Sequence, residues 1–563
     1  MLTAAMRLAL LISLASFVLG CEAPQSSTLI ALSHDTCRNA GDGAGGFADG
    51  LAESGVTFDA YTQFEGVGSD GVVAADFDND SCPDLLFAQL LGDGEMWWNE
   101  CGRDGFARFE LATEPDGIFE VAEDLTPSLS AADVDGDGWL DILVLSGNRV
   151  RLLRNQHDRT FLDVSDDMGF DASMSYAPSA SWIDLEGDGD LDLLLLRQQS
   201  FDSGFDGGAI ASGESWAAVE DQFWVNEGGQ SLSLLVEPGA PLIPALTNHS
   251  VWYDIDSDGD SDLFVFNDEG QYENSTFWEH LGTGPDGKVQ WAERLVEAGI
   301  GLLVAPMGAV VDDLDGDGLS DIFASDAQEV RVFRNAGGLQ SDGSYQWLFT
   351  DVGRGVWVDP SEHRDGDISW TVLRVDPDGD GRPDLYVTYG WTAGQEYDNA
   401  EIFSSIQQPD RIFVNTAAPG EEPWFQSFPD MLPGPPSNAT AGARADLNLD
   451  GLPDIVVNPV SGPPQIYLGQ CNQAGRFVVH LRDPGLNSFA VGARVEVTAA
   501  GRTQVQEMEA GSSTSFGASD PVLFFAVADA PSVERLVVRW PGPDSAESVF
   551  EDLCPNCRVT ITR

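Results

Sequence analysis

Lysine is almost missing from this 563-residue chain: it occurs once, at Lys288, and every other basic residue is an arginine. Lys+Arg 27 against Asp+Glu 93 leaves a formal net charge of −66. So few cations form no basic patch to displace counterions, which excludes nucleic acid as a partner. Anionic membrane surfaces are excluded on the same ground. The six histidines are scattered, and no H-E-x-x-H, G-x-S-x-G or Cys/His nucleophile pair occurs. Gly282 to Val289 comes near a phosphate-binding loop. Val289 stands where that loop needs Ser or Thr, so the segment reads as a surface turn. Long apolar runs are missing as well. The one candidate, Leu8 to Leu19 after Arg7, has the length of a signal-peptide core and is too short to span a bilayer.

That run ends in Val18-Leu19-Gly20-Cys21, which resembles a bacterial lipobox and implies acylation at Cys21. The expectation is an exported protein, a cell-envelope lipoprotein or a secreted one, that meets the membrane only through such an anchor. The other cysteines are Cys37, Cys82, Cys101, Cys471, Cys554 and Cys557, an even number that suits an oxidising compartment. Cys82 and Cys101 lie in one repeat and are the favoured pair. Cys554-Pro-Asn-Cys557 has no second Cys pair or His cluster near it, so it reads as a structural disulfide.

What the chain has in abundance is aspartate in register. D-x-[DEN]-x-D-[GS]-x-x-D or a near-equivalent recurs seven times, at intervals of 57, 51, 70, 59, 63 and 70 residues. The acids are Asp76, Asp78, Asp80 and Asp84 in the first copy, then Asp133, Asp135, Asp137 and Asp141. The third has Asp184, Glu186, Asp188 and Asp192; the fourth, Asp254, Asp256, Asp258 and Asp262. Asp313, Asp315, Asp317 and Asp321 follow, then Asp376, Asp378, Asp380 and Asp384. The last copy has Asp446, Asn448, Asp450 and Asp454.

Alternate side-chain oxygens on a tight loop converge on one point, which is the chemistry of Ca²⁺. Up to seven sites are expected. An EF-hand would need a glutamate at position twelve, where Val144 and Val387 stand instead. The flanks are short and apolar, such as Val72-Val73-Ala74-Ala75 before a loop and Asp84-Leu85-Leu86-Phe87 across its end, so each loop joins two strands. A further strand ends in Asn99, Asn155, Asn226, Asn335 or Asn415, and an aromatic strand follows. Four strands per repeat make a propeller blade.

These loops resemble the FG-GAP/VCBS repeats of integrin α-chain propellers and many secreted bacterial proteins. From Arg476 onward the acidic loops give way to short alternating strands. Asn487 to Val495, Gly511-Ser512-Ser513 and Val537 to Gly542 resemble the ASPIC/UnbV domain, which follows such repeats in the cartilage acidic protein family. Ser488 stands where that family often has Arg, and Phe525-Ala526-Val527-Ala528 where it has Phe-Gly-Leu-Gly. The resemblance implies calcium binding and adhesion or ligand capture.

The expected architecture is all-β. A lipoprotein-type signal peptide occupies 1–20 and a linker 21–46. A seven-bladed β-propeller of calcium-loop repeats occupies 47–470, and a small β-sandwich domain 471–563. The expected function is extracytoplasmic binding of a protein or glycan, with no catalytic residue; the alternatives are a polysaccharide-active enzyme and a structural scaffold of the envelope. The two 70-residue intervals hold extra loops, and Trp216, Trp391 and Tyr397 in them are the candidate ligand-binding aromatics.

Overall fold

The computed structural model describes residues 28–33, 46–54, 56, 71–88, 94–101, 107–112, 128–146, 149–170, 177–197, 219–235, 244–267, 275–285, 288–301, 306–326, 330–359, 367–390, 408–418, 421–434, 438–459, 463–470, 472, 474–511, 516–542 and 546–563. Cys21, Cys37, Cys471, Trp216, Trp391 and Tyr397 lie outside the described residues. Among the described residues no helix is long and apolar enough to cross a membrane.

The first acidic repeat folds into an antiparallel sheet of Val72–Ala75, Asp84–Phe87, Glu95–Asn99 and Phe109–Leu111. Each of the other six copies builds a sheet on the same plan. The innermost strands are largely buried on both faces, as in Ser128–Ala132 and Ala439–Ala445. The first strands of successive sheets lie side by side, and the last, Ala439–Ala445, lies beside Val72–Ala75. Outer strands are open instead: Phe109 is buried, while Glu110 and Leu111 face solvent.

The core runs between the sheets. Phe77, Leu86 and Trp98 of the first sheet pack with Ile142 and Leu153 of the second. Val72, Leu85 and Trp97 pack with Ala443, Val456 and Leu468 of the seventh. Phe47–Asp49 supplies the outer strand of that seventh sheet by pairing with Gln465–Gly469. At the motif near a phosphate loop, the Gly284 N–H donates to the Lys288 carbonyl at 2.8 Å.

The asparagines that end the third strands have a role their sequence did not reveal. Asn155 Nδ2 donates to the Leu140 carbonyl of its own loop at 3.0 Å and to the Phe77 carbonyl of the preceding loop at 2.8 Å. Asn226 repeats this with Leu191 and Val134, and Asn99 with Pro83 and Leu447. The last of these joins the first repeat to the seventh. Each amide therefore staples two sheets by satisfying two buried carbonyls.

The C-terminal region forms two four-stranded sheets around their own core, which includes Phe477, Val495, Leu536, Val538 and Ile561. The strand-rich reading from Arg476 onward stands, with strands such as Arg494–Ala499, Arg502–Glu507 and Val533–Arg539. The strand Glu547–Leu553 was not anticipated. Nor was Thr28–Ser33, which pairs antiparallel with Cys557–Thr562 from within the stretch read as a linker. Cys82–Cys101 and Cys554–Cys557 are disulfides, as expected.

This region reaches into the repeats. Gly517–Ser519 adds in parallel to Val72–Ala75, and Ala510–Gly511 adds antiparallel to Ser179–Ile183. Replacing Asn155 by Ala is expected to lower stability by about 2–4 kcal/mol, because two buried carbonyls lose their donor. Asn335→Ala should cost less, since the Asn335 amide meets the Tyr345 hydroxyl at 3.0 Å, outside the backbone. Urea unfolding of the two variants checks the difference.

Candidate metal centres

All seven acidic loops share one backbone design. Position four has positive φ throughout, from 56° at Asn79 to 77° at Gly316, which aims the side chains on either side of it inward. Position six is also left-handed and is glycine in six copies; Ser81 holds the same conformation at φ 75°.

The first carboxylate receives the backbone N–H groups that close the turn. Asp133 accepts from Asp137 at 3.1 Å and Gly138 at 2.8 Å, and Asp446 accepts from Asp450 and Gly451, both at 2.9 Å. The ninth carboxylate ties the loop to the third strand. Asp141 accepts from Val134 N–H at 3.1 Å and Asn155 N–H at 2.8 Å. Asp84, Asp192, Asp321 and Asp454 repeat both contacts. In the fourth copy the strand-end donor is the backbone N–H of His280.

The sixth copy departs from this. Its position two is Pro377, which has no N–H, so Asp384 Oδ2 is buried without a hydrogen-bond partner. Asp135 Oδ1 and Asp190 Oδ1 are also buried and unpartnered.

The structure brings the expected ligands together. One carboxylate oxygen from each of Asp76, Asp78 and Asp84 lies within 4.8 Å of the others, and the same holds for Asp133, Asp135 and Asp141, and for Asp313, Asp315 and Asp321. In the fourth copy the grouped residues are Asp254, Asp256 and Asp258. The fifth-position acids also serve locally: Asp80 accepts from Cys82 N–H at 2.9 Å, Asp317 from Leu319 N–H at 3.0 Å and Asp450 from Leu452 N–H at 3.0 Å. Asp137 meets the His157 ring at 2.6 Å. Arginines sit outside some loops, with Arg159 2.6 Å from Asp78 and Arg334 2.7 Å from Asp315.

Burial, reinforced by the neighbouring carboxylates, pushes these acids up. Asp76 and Asp313 rise to about 7, Asp376 to about 8 and Asp192 to about 9. Asp84, Asp141 and Asp321 also lie well above the usual carboxylate range, again mainly through burial. Clustered hard oxygens and orphaned buried carboxylate oxygens fit a hard divalent cation, which would lift this penalty.

The C-terminal domain sits on several of these loops, a role that the repeat pattern gave no means to foresee. Ser488 Oγ donates to Asp133, and Leu486 lies against Gly136. Arg558 pairs with Asp446 at 2.8 Å, and Arg476 donates to the Asp450 carbonyl at 2.7 Å. Glu507 accepts from the Asp254 N–H at 3.0 Å and pairs with Arg494 at 3.2 Å. Ser488, one of the departures from the family pattern, is thus an interdomain contact.

Residues 483–563 match the ASPIC and UnbV family, and residues 133–195 and 313–387 match the FG-GAP-like repeat. No curated protein matches the chain. Among solved structures, the chain is similar to a lectin from Agrocybe aegerita described as recognising non-reducing terminal N-acetylglucosamine. Identity is 15%, coverage 70% of this chain and 93% of that one, and the TM-score 0.37. It is also similar to BBS1N in complex with ARL6DN, at 9% identity, 75% and 96% coverage and TM-score 0.40. A hypothetical selenium-binding protein from Sulfolobus tokodaii matches at 12% identity, 65% and 81% coverage and TM-score 0.35. Likenesses this distant carry no argument here.

Two outcomes follow, one for the metal-free protein and one for the calcium-loaded one. The loop acids keep protons in the folded chain that they lose near pH 4 when unfolded. The chelated protein therefore loses stability as pH rises from about 5 to 8, and thermal melts in EDTA across that range should show a falling midpoint. Ser81→Gly relieves a left-handed serine on an exposed turn and should stabilise by about 0.5–1 kcal/mol, measured by the same melts in calcium.

Proposed function

We propose that this chain, with its FG-GAP-like repeats and ASPIC/UnbV domain, is a calcium-loaded seven-bladed β-propeller that binds a protein or glycan outside the cytoplasm. The observation that carries the reading is the repeated loop, in which acids at fixed positions gather three carboxylate oxygens within 4.8 Å of one another. Seven sheets of one plan, the packing of the seventh on the first and the Asn99–Leu447 bond support the ring.

The carboxylates at positions one, three, five and nine would hold Ca²⁺, with Asn448 taking the third position in the last copy. Bound calcium supplies a charge that neutralises each cluster and fixes the hairpin. The loop acids face one another and backbone donors, as the ligands of a metal would, which favours binding over turnover. Two disulfides and the apolar leader support export.

Metal analysis of the purified mature protein should return about seven Ca²⁺ per chain, with a large drop in melting temperature on chelation. Few ions and an unchanged melt would overturn the reading.

A further inference from the structure

The binding function leaves Cys554-Pro555-Asn556-Cys557 unused. The disulfide there joins residues 3 apart in sequence, against 19 for Cys82–Cys101. So short a ring removes little freedom from the unfolded chain and adds little stability. The turn is also held without it. Glu547–Leu553 on one side is paired with Val533–Arg539, and Cys557–Thr562 on the other lies between Thr28–Ser33 and Gly475–Arg482. Asn556 Oδ1 accepts from the Arg476 N–H at 3.1 Å, and Arg558 pairs with Asp446 at 2.8 Å. The ring can open while both flanks stay in place.

The two cysteines differ in access. Cys554 is exposed, whereas Cys557 is buried in the core of the C-terminal domain. In the other disulfide Cys82 is buried and Cys101 half-buried. Thiol–disulfide exchange begins with a thiolate reaching one sulfur of the bond, and exposed disulfides are the labile ones. Here the bond is open to attack at one end, and the released Cys557 stays beside it to resolve a mixed disulfide. Glu551 and Asp552 are exposed next to Cys554, while the Arg476 and Arg558 side chains are turned to the seventh acidic loop. An incoming chain therefore meets acidic surface, which favours a basic one.

We infer that Cys554–Cys557 is a redox-active disulfide that oxidises dithiols in basic peptide segments. A substrate thiolate attacks Cys554 Sγ, the Cys554–Cys557 bond breaks, and Cys557 leaves as a thiolate that takes up a proton. The second substrate thiolate then attacks the substrate sulfur of the mixed disulfide. That closes the substrate disulfide and releases the Cys554 thiolate, which is protonated in turn. Two electrons and two protons pass from the substrate dithiol to the protein disulfide. The activity goes beyond the calcium and ligand-binding reading and does not depend on it.

The test mixes the mature full chain, in calcium, with an excess of a lysine-rich peptide carrying two thiols, or with a glutamate-rich counterpart. Alkylation quenching and site-resolved mass spectrometry follow each cysteine. The expected result is one peptide disulfide formed for each Cys554–Cys557 bond opened. That bond should open roughly tenfold faster than Cys82–Cys101, and faster with the basic peptide. A chain carrying both Cys554→Ser and Cys557→Ser should melt near the wild-type temperature and lose this rapid phase. Opening no faster than that of Cys82–Cys101 overturns the inference. A melting temperature far below wild type in the double variant makes the bond a structural brace and overturns it too. Faster reaction with the acidic peptide overturns the substrate class.

Discussion

Everything in the repeat region depends on one aspartate per loop, the ninth. In six of the seven copies its two oxygens take donors from opposite ends of the repeat: one from the start of the loop, the other from the third strand. That carboxylate fixes the hairpin angle between strands one and two and the position where strand three stops. The strand-three asparagine is then placed to reach the preceding loop. A single charged group thus sets geometry within a sheet and, through its neighbour, between sheets.

The arrangement carries an electrostatic cost that shapes the rest. Two or more further acids converge near the ninth, and burial raises the first and the ninth acid of every copy. Backbone N–H groups and a few arginines offset part of the repulsion, but buried oxygens such as Asp384 Oδ2 have no donor at all. A divalent cation would resolve this conflict in one step.

The C-terminal domain is tied into the same system. Two of its short strands extend the first and third sheets, and its side chains reach the first aspartates of the second and seventh loops. Glu507 grips the backbone of the fourth. The two regions are therefore packed as one body, and the surfaces open to a ligand are those the C-terminal domain leaves uncovered.

The sequence by itself determined the local units. Aspartate spacing specifies a turn whatever surrounds it, because its hydrogen bonds run within nine residues, and the alternating flanks specify strands. The Cys82–Cys101 bridge was legible for the same reason: its partners lie in one repeat. Only the tertiary structure decided which loops the C-terminal domain covers, what the terminal asparagines bond to, and that Thr28–Ser33 is a strand. Those depend on partners far apart in the chain, such as Asn99 with Leu447 or Ser488 with Asp133, and no local pattern encodes the distance between them.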